Sequence, residues 1–233
     1  MELVFNSNFS PLKKLSHSFS QEEIKNETML FSADYEFARK NGDGLTHLFL
    51  DNLPEDFKKS KLVIDTRVHM LMPGWYPCIP GWHHDDIPRK GRFGQPNYID
   101  PEYYSEHILM VVNSSVAPTE FLTGNVVLKL PSPEEVIYNV WNKEINLRLN
   151  SNPPEDWKVT PVEDSTLYVF NWETFHRGTV TVKNGWRFFI RASRYFKDKH
   201  KCVEDHERFQ RRTSKNQIRR QVQIYMSELE AGW

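Results

Sequence analysis

Between residues 61 and 195 the chain is a succession of short apolar segments, rich in Val, Ile, Phe and Tyr and separated by Gly, Asn and Pro. Residues 67–72 alternate with the two-residue period of a β-strand, which ends at Pro73 and Gly74. Many short strands with few helices predict a mainly β fold, a sandwich or barrel, and not an alternating α/β sheet. The other predicted strands are residues 107–113, 125–130, 166–171, 179–182 and 186–192.

The N-terminal part of the chain has helical signals instead. Ser20 and Glu23 form a capping-box pattern, which predicts a helix over residues 21–40. A short strand is expected at residues 45–51 and a helical turn at residues 54–60. The first twenty residues mix Asn, Ser and Pro, and we expect them to lie on the surface.

One further helix is expected among the strands, because Ser132 is a good N-cap and Pro133 suits the first helical position. The peripheral helices and the β segments together predict a single domain. Its parts are a helical N-terminal flank (residues 1–60), a β core (61–195) and a basic C-terminal extension (196–233).

Composition excludes several classes of protein. The 233 residues are 39% hydrophobic and 13% aromatic, enough for one well-packed core, and the net charge of −1 gives no overall attraction to nucleic acid or an anionic membrane. There is no apolar run long enough for a transmembrane helix and no signal-peptide pattern. Cys78 and Cys202 are too few for a disulfide scaffold, so we expect a cytoplasmic protein.

The densest group of metal-binding side chains is His83, His84, Asp85 and Asp86, which follow a Pro-Gly turn and Trp82. Imidazole and carboxylate groups are good ligands for divalent transition metals. His83 with Asp85 and His84 with Asp86 are equally spaced pairs, and the residues leave both pairs open as ligands.

A third ligand is expected at His176, in a segment of strand character. If Asn184 and Gly185 form a two-residue hairpin turn, strand pairing puts His176, Arg187 and Arg191 on one interior face. A buried guanidinium needs an anion, so this face is predicted to bind a carboxylate or a similar group.

Trp82-His83-x-Asp85, the distal His176 and an arginine eleven positions later resemble the Fe(II)/2-oxoglutarate-dependent dioxygenase superfamily, including its taurine-dioxygenase-like and phytanoyl-hydroxylase-like branches. The resemblance covers roughly residues 61–195. It implies that the β core is a double-stranded β-helix, or jelly roll.

The resemblance also implies a function for each residue of the motif. His83, Asp85 and His176 would hold Fe(II), and Arg187 would bind the distal carboxylate of the co-substrate 2-oxoglutarate. Arg191 would face the substrate or support Arg187, although the hairpin geometry leaves an exchange of their roles open. The family couples conversion of 2-oxoglutarate to succinate and carbon dioxide with hydroxylation of a substrate carbon.

The first alternative is a cupin-like metal protein without oxygenase activity, built on the same type of barrel. The substrate class follows less directly from the sequence. A long loop over residues 87–104 carries Arg89, Lys90 and Arg92, which suit an anionic or planar small molecule. An oxygenase acting on a nucleobase is disfavoured by the arginine spacing on the last strand, and an oxygenase acting on a peptidyl residue stays open.

Overall fold

The structure is a computed structural model and describes residues 1–90 and 94–226. It is mainly β, with antiparallel pairing in its sheets. The strands are β1 (Glu2–Ser7), β2 (Phe9–Lys14), β3 (Leu30–Phe31), β4 (Val63–Leu71), β5 (Arg89–Lys90), β6 (Gln95–Pro96), β7 (Tyr104–Val112), β8 (Thr119–Lys129), β9 (Lys158–Pro161), β10 (Thr166–Asn171), β11 (His176–Gly178), β12 (Gly185–Phe196) and β13 (Gln217–Ile218).

Short helices surround the strands. They are α1 (Gln21–Asn26), α2 (Tyr35–Asn41), α3 (Gly44–Asp51), α4 (Glu55–Lys58), α5 (Ile137–Ser151) and α6 (His206–Thr213). Across residues 1–90 and 94–226, no helix is long and apolar enough to cross a membrane.

Two sheets form the centre of the molecule. The first has the strand order β2-β10-β7-β12-β4. In the second, β8 pairs with β1, β9 and β11, and an isolated bridge joins His83 to His176 at the start of β11. With the separate β5–β6 pair left out, successive segments from β4 to β12, including the one at His83, alternate between the two sheets, apart from the neighbouring strands β8 and β9.

Three apolar clusters hold these layers together. The N-terminal helices pack against the outer face of the first sheet, where Phe188 and Ile190 of β12 are fully buried. Helix α5 covers the second sheet through Trp141 and Ile145. The third cluster combines residues of both sheets, among them Leu109, Phe121 and Phe170. The sheets thus face each other across a shared interior.

The alternation of β12 positions the polar residues of that interior. Phe188, Ile190 and Ala192 point toward the helices, so the odd-numbered residues of the strand point the other way. In the pairing of β12 with β4, Arg187 lies opposite His69, Phe189 opposite Arg67, and Arg191 opposite Asp65. These alternate pairs therefore place charged side chains of two neighbouring strands on one inner face.

The expected helical N-terminal flank is wrong in its first part. Most of the first twenty residues lie on the surface, as expected, but β1 and β2 are not helical and add one strand to each central sheet. A boundary at residue 61 therefore does not separate flank from core. The physical reason is long-range: Phe5 and Phe9 are buried against the sheets, which outweighs the loop-like composition around them.

The predicted helix over residues 21–40 is two helices, α1 and α2, separated by β3. The Leu30 N–H donates to Thr66 Oγ1 at 2.6 Å, which ties this segment to β4 rather than to a helix. The strand expected at residues 45–51 is α3, because the buried Glu27 carboxylate accepts from the N–H groups of Leu45 and Thr46, each at 3.0 Å, as a helix N-terminus requires.

The hairpin expected around Asn184 and Gly185 is also wrong. β11 pairs with β8, whereas β12 lies between β4 and β7. The backbone at residues 179–182 is not a strand, because its N–H groups donate to loop carbonyls, such as Thr181 to Trp75 at 2.8 Å. The inserted helix is present but begins at Ile137.

Candidate metal centre and anion pocket

His83, Asp85 and His176 come together where the segment after the Pro-Gly turn meets the start of β11. The backbones of His83 and His176 exchange two N–H···O=C bonds, each 3.0 Å long. One ligand atom of each of the three side chains lies within 4.8 Å of the others. Two histidines and one carboxylate are thereby arranged around a single point.

Backbone carbonyls fix the tautomer of both imidazoles. His83 Nδ1 lies 2.7 Å from the Gly81 carbonyl oxygen, and His176 Nδ1 lies 3.1 Å from that of Thr174. A carbonyl can only accept, so Nδ1 carries the proton and Nε2 carries the lone pair. This is the outer hydrogen bond found behind metal-ligating histidines.

The contact between His176 and Asp85 fits a cation. His176 Nε2 lies 3.2 Å from Asp85 Oδ2. In the tautomer set by Thr174, a neutral imidazole directs its lone pair at this oxygen, which also accepts from Arg191. A divalent metal ion could take both atoms as ligands, so the residues present fit the group that the motif implies.

The protonation states also suit a metal. Burial, and then the neighbouring His176, lower the pKa of His83 to about 3, so its imidazole is neutral at physiological pH. Burial alone would raise the pKa of Asp85, but Arg191 and His176 outweigh burial and hold that pKa well below its usual value. His83 and Asp85 are therefore in the forms that bind metals.

The alternative pair, His84 and Asp86, points elsewhere. The His84 ring packs on Phe175, with centroids 3.8 Å apart, and its Nδ1 lies 2.7 Å from the Tyr98 hydroxyl. Asp86 has a left-handed backbone, with φ of 51°, and its carboxylate accepts from Arg212 at 2.6 Å. Of the two pairs in the sequence, the first is the one that lies beside His176.

Helix α5 holds the metal-binding segment in place. Trp82 is fully buried, its N–H donates to Asn142 at 3.0 Å, and its indole N–H donates to Asn146 at 3.1 Å. Arg177, next to His176, stacks over the Trp82 ring at 4.4 Å. The sequence predicts a helix in this region but not which of its faces meets Trp82. Asn142 and Asn146 were therefore not predicted to support the site.

A cavity of about 220 Å³ extends from the three candidate ligands between the sheets. His83, Asp85 and His176 line this cavity, and so do Arg187 and Thr119. A second cavity of about 450 Å³ lies on the other side of His83 and Asp85.

Part of the loop over residues 87–104 lines this second cavity. Arg89 of that loop lines it, together with Tyr103 and Arg208. Arg92 lies outside the described residues.

Arg187 is a buried cation without an acidic partner among residues 1–90 and 94–226. Its side chain is 1% exposed, Nη2 donates to Thr119 Oγ1 at 2.8 Å, and Nε has no hydrogen-bond partner there. Burial lowers the pKa of Arg187 to about 10. An unpaired buried guanidinium is unfavourable, and a bound anion would compensate it.

Arg191 is in the opposite state. Its guanidinium donates to Asp85, and Nη2 lies 3.3 Å from Asp86 and 3.7 Å from Asp65. Burial alone would lower the pKa of Arg191, but these carboxylates raise it above its usual value. Of the two arginines predicted for an anion, Arg187 is the one whose charge is not already neutralised by protein.

Comparison with known proteins adds little to this description. No family model matches the sequence, and no curated protein matches it. Two solved structures of HygX from Streptomyces hygroscopicus are similar at 10% identity, over 82% of each chain, one apo (TM-score 0.37) and one with iron bound (TM-score 0.34). Likenesses this weak establish neither the fold nor the function of this chain.

Proposed function

We propose that this chain is an Fe(II)- and 2-oxoglutarate-dependent oxygenase that hydroxylates an unactivated C–H bond of a small molecule. The observation that carries the proposal is a single cavity lined by two histidines, a carboxylate and the unpaired, buried Arg187. A 2-His-1-carboxylate set suits Fe(II) and leaves positions open for exogenous ligands. The arginine fork suits a carboxylate.

The strand order supports a double-stranded β-helix. Eight successive segments can be numbered from β4 to β12, with the segment at His83 as the second and the β5–β6 pair left out. The first sheet then reads 1-8-3-6 and the second reads 2-7-4-5. In this winding, segments 2 and 7 carry the candidate metal ligands and segment 8 carries Arg187, so one fold accounts for all of them.

In the proposed site His83, Asp85 and His176 hold the iron, and Arg187 binds the distal carboxylate of 2-oxoglutarate. Iron and 2-oxoglutarate, when bound, supply the oxidising chemistry. The protein orients the ligands: backbone carbonyls fix the imidazoles, and Arg191 holds the Asp85 carboxylate. A carboxylate at position 85 leaves no place for a halide ligand, which favours hydroxylation over halogenation.

A small molecule remains the proposed substrate class. The net charge of −1 supports no general affinity for nucleic acid, and the enclosed cavity between the sheets suits a small ligand. A cytoplasmic location stays a prediction.

The test is an anaerobic titration of the metal-free protein with Fe(II) and then 2-oxoglutarate. We expect the weak visible charge-transfer band of iron chelated by a 2-oxo acid. Iron binding without this band would replace the proposal with a cupin-like metal protein. Binding of neither would contradict a metal site altogether.

Paired alanine variants test the choice of ligands. His83→Ala is expected to abolish iron binding and leave the fold intact, because this imidazole contributes a ligand. His84→Ala should retain iron binding and lose about 2–4 kcal/mol of stability, because it opens a cavity among buried rings. Iron titration and chemical denaturation of both variants measure this, and the reverse pattern would show that His84 and Asp86 are the ligands.

A further inference from the structure

Two more arginines line the cavity of about 220 Å³ that contains the candidate metal ligands, and neither has an acidic partner among the described residues. They are Arg67 on β4 and Arg219 in the C-terminal extension, and no carboxylate in the described part of the chain lies within ion-pair distance of either. Arg67 lies 5.8 Å from the centre of the Phe189 ring, and Arg219 stacks on Phe31 at 3.8 Å. Among residues 1–90 and 94–226, both guanidinium groups therefore have an aromatic neighbour but no ion-pair partner.

The backbone holds Arg219 at the cavity. β13 pairs with β3, and the Arg219 N–H donates to the Met29 carbonyl at 2.7 Å. Further along, Tyr225 and Tyr76 exchange two backbone hydrogen bonds of 2.8 and 3.1 Å. Residues 214–226, the C-terminal strap, are thus fixed at two points. Arg219 lies at the first point and Tyr225 at the second, and both line the cavity.

The charges around the cavity do not balance. Of its two aspartates, Asp85 is bound by Arg191 and Asp65 by Arg212, whose Nη2 lies 2.9 Å away. Burial, and then the positive charge of Arg67, lower the pKa of Arg219, and the more weakly acting Asp65 does not offset them. After Arg187 has taken 2-oxoglutarate, positive charge remains for a second anion.

We propose that Arg67 and Arg219 form a second anion subsite, which binds the acidic group of the substrate. The substrate is then a small molecule with a carboxylate or phosphate group. This inference rests on the proposed function for the identity of the reaction, while the subsite itself rests on the two guanidinium groups.

The strand register separates the subsite from the candidate metal ligands. Arg67 pairs with Phe189, one step of two residues from the Asp65–Arg191 pair that contacts Asp85. Two residues of a strand span roughly 7 Å. A substrate held at Arg67 by its acidic group therefore has its carbon chain, and not the acid, beside the candidate metal ligands.

The experiment measures binding of three four-carbon probes, butyrate, butyl phosphate and butyramide, by isothermal titration calorimetry. The protein is loaded with Mn(II) and 2-oxoglutarate, so that no turnover occurs. We expect at least one of the two acids to bind and the neutral amide not to bind. The acid that binds more tightly identifies the acidic group.

Substitutions locate the binding. Arg67→Gln and Arg219→Gln should each weaken acid binding at least about tenfold, because a charged hydrogen-bond partner is lost. Arg67→Lys and Arg219→Lys keep the charge and should recover part of the affinity if the fold is intact. Arg220→Gln is the matched control, because Arg220 is the exposed neighbour on the same segment, and it should not change binding.

Three results would overturn the subsite: equal binding of acid and amide, acid binding that does not depend on Arg67 and Arg219, or no acid binding at all. Weaker 2-oxoglutarate binding in Arg67→Gln, as strong as in Arg187→Gln, would also overturn it by making Arg67 part of the co-substrate site. If the wild type takes up neither metal nor 2-oxoglutarate, the proposed function fails. The same acid titrations on the metal-free protein then still decide the subsite.

Discussion

Arg187 and Arg191 lie on one face of one strand, four residues apart, and yet they are in opposite electrostatic environments. Around Arg191, three aspartates neutralise the charge, and Arg212 joins the same network through Asp65 and Asp86. Around Arg187, one neutral hydroxyl is the hydrogen-bond partner found in the described residues.

The difference separates two uses of a buried charge. A cation that is paired within the protein stabilises a fixed geometry, and its removal leaves buried anions without compensation. A cation that is unpaired within the protein destabilises the empty fold and gains its partner only when a ligand binds. Stability and ligand binding should therefore respond in opposite ways to the same substitution at the two positions.

The largest effect is expected for Arg191→Met. The change leaves Asp65, Asp85 and Asp86 facing one another with less positive charge, so the free energy of unfolding should fall by about 3–5 kcal/mol. Urea denaturation of the metal-free protein measures it. Arg191→Lys keeps the charge and should lose less, and a wild-type stability for Arg191→Met would show that the network does not depend on this residue.

Arg187→Met should leave the metal-free protein at least as stable as the wild type, because a buried, unpaired charge is removed. It should weaken 2-oxoglutarate binding by about 2–5 kcal/mol, the range for truncating one partner of a buried charge pair. Titration of the Mn(II)-loaded protein measures the loss, with Mn(II) affinity as the control. Unchanged 2-oxoglutarate binding would remove the distinction between the two arginines.

The sequence predicts these residues better than it predicts their geometry. The motif spacing indicates His83, Asp85, His176 and Arg187, and the structure brings all four to one cavity. The hairpin that was expected to join His176 to the arginines does not form, because β11 and β12 belong to different sheets. The side chains meet across the interior between two facing sheets, which is a long-range arrangement that local pairing rules do not contain.

The contribution of the chain ends could not be predicted for a similar reason. Arg208 and Arg212 belong to a basic stretch of the kind that usually forms a solvated surface, but Arg212 on α6 contacts Asp86 and Asp65. Which face of a short helix meets the core depends on where the chain docks. The pattern of charges along the sequence does not specify that docking.

A smaller effect of the environment around Arg191 is expected in the pH dependence of the stability. His107 pairs with Ser193, two residues beyond Arg191, and burial followed by the charge of Arg191 lowers its pKa to about 3. The unfolded chain binds this proton below about pH 6.5 and the folded chain does not, so stability is lost as the pH falls from about 6.5 toward 3.

His107→Gln should reduce that pH dependence by about 1.4 kcal/mol per pH unit between roughly pH 5 and 6. Glutamine keeps polar atoms near Ser105 and Ser193, which contact the imidazole at 2.9 and 2.8 Å. Urea denaturation across this pH range measures the slope, and His200→Gln serves as an exposed control. An unchanged slope in His107→Gln would mean that this buried imidazole does not set the acid sensitivity.

The smallest and most specific effect is expected for Thr119→Val, which removes the hydroxyl partner of Arg187 and keeps the shape of the side chain. In the metal-free protein the guanidinium loses a hydrogen bond, so stability should fall by about 1 kcal/mol. With Mn(II) and 2-oxoglutarate bound, the ligand carboxylate satisfies Arg187, and the same substitution should cost less. Thermal denaturation with and without these ligands measures the difference, with Thr123→Val on the same strand as the control. An equal cost in both states would mean that the anion does not bind at Arg187, and the contrast with Arg191 would then concern stability alone.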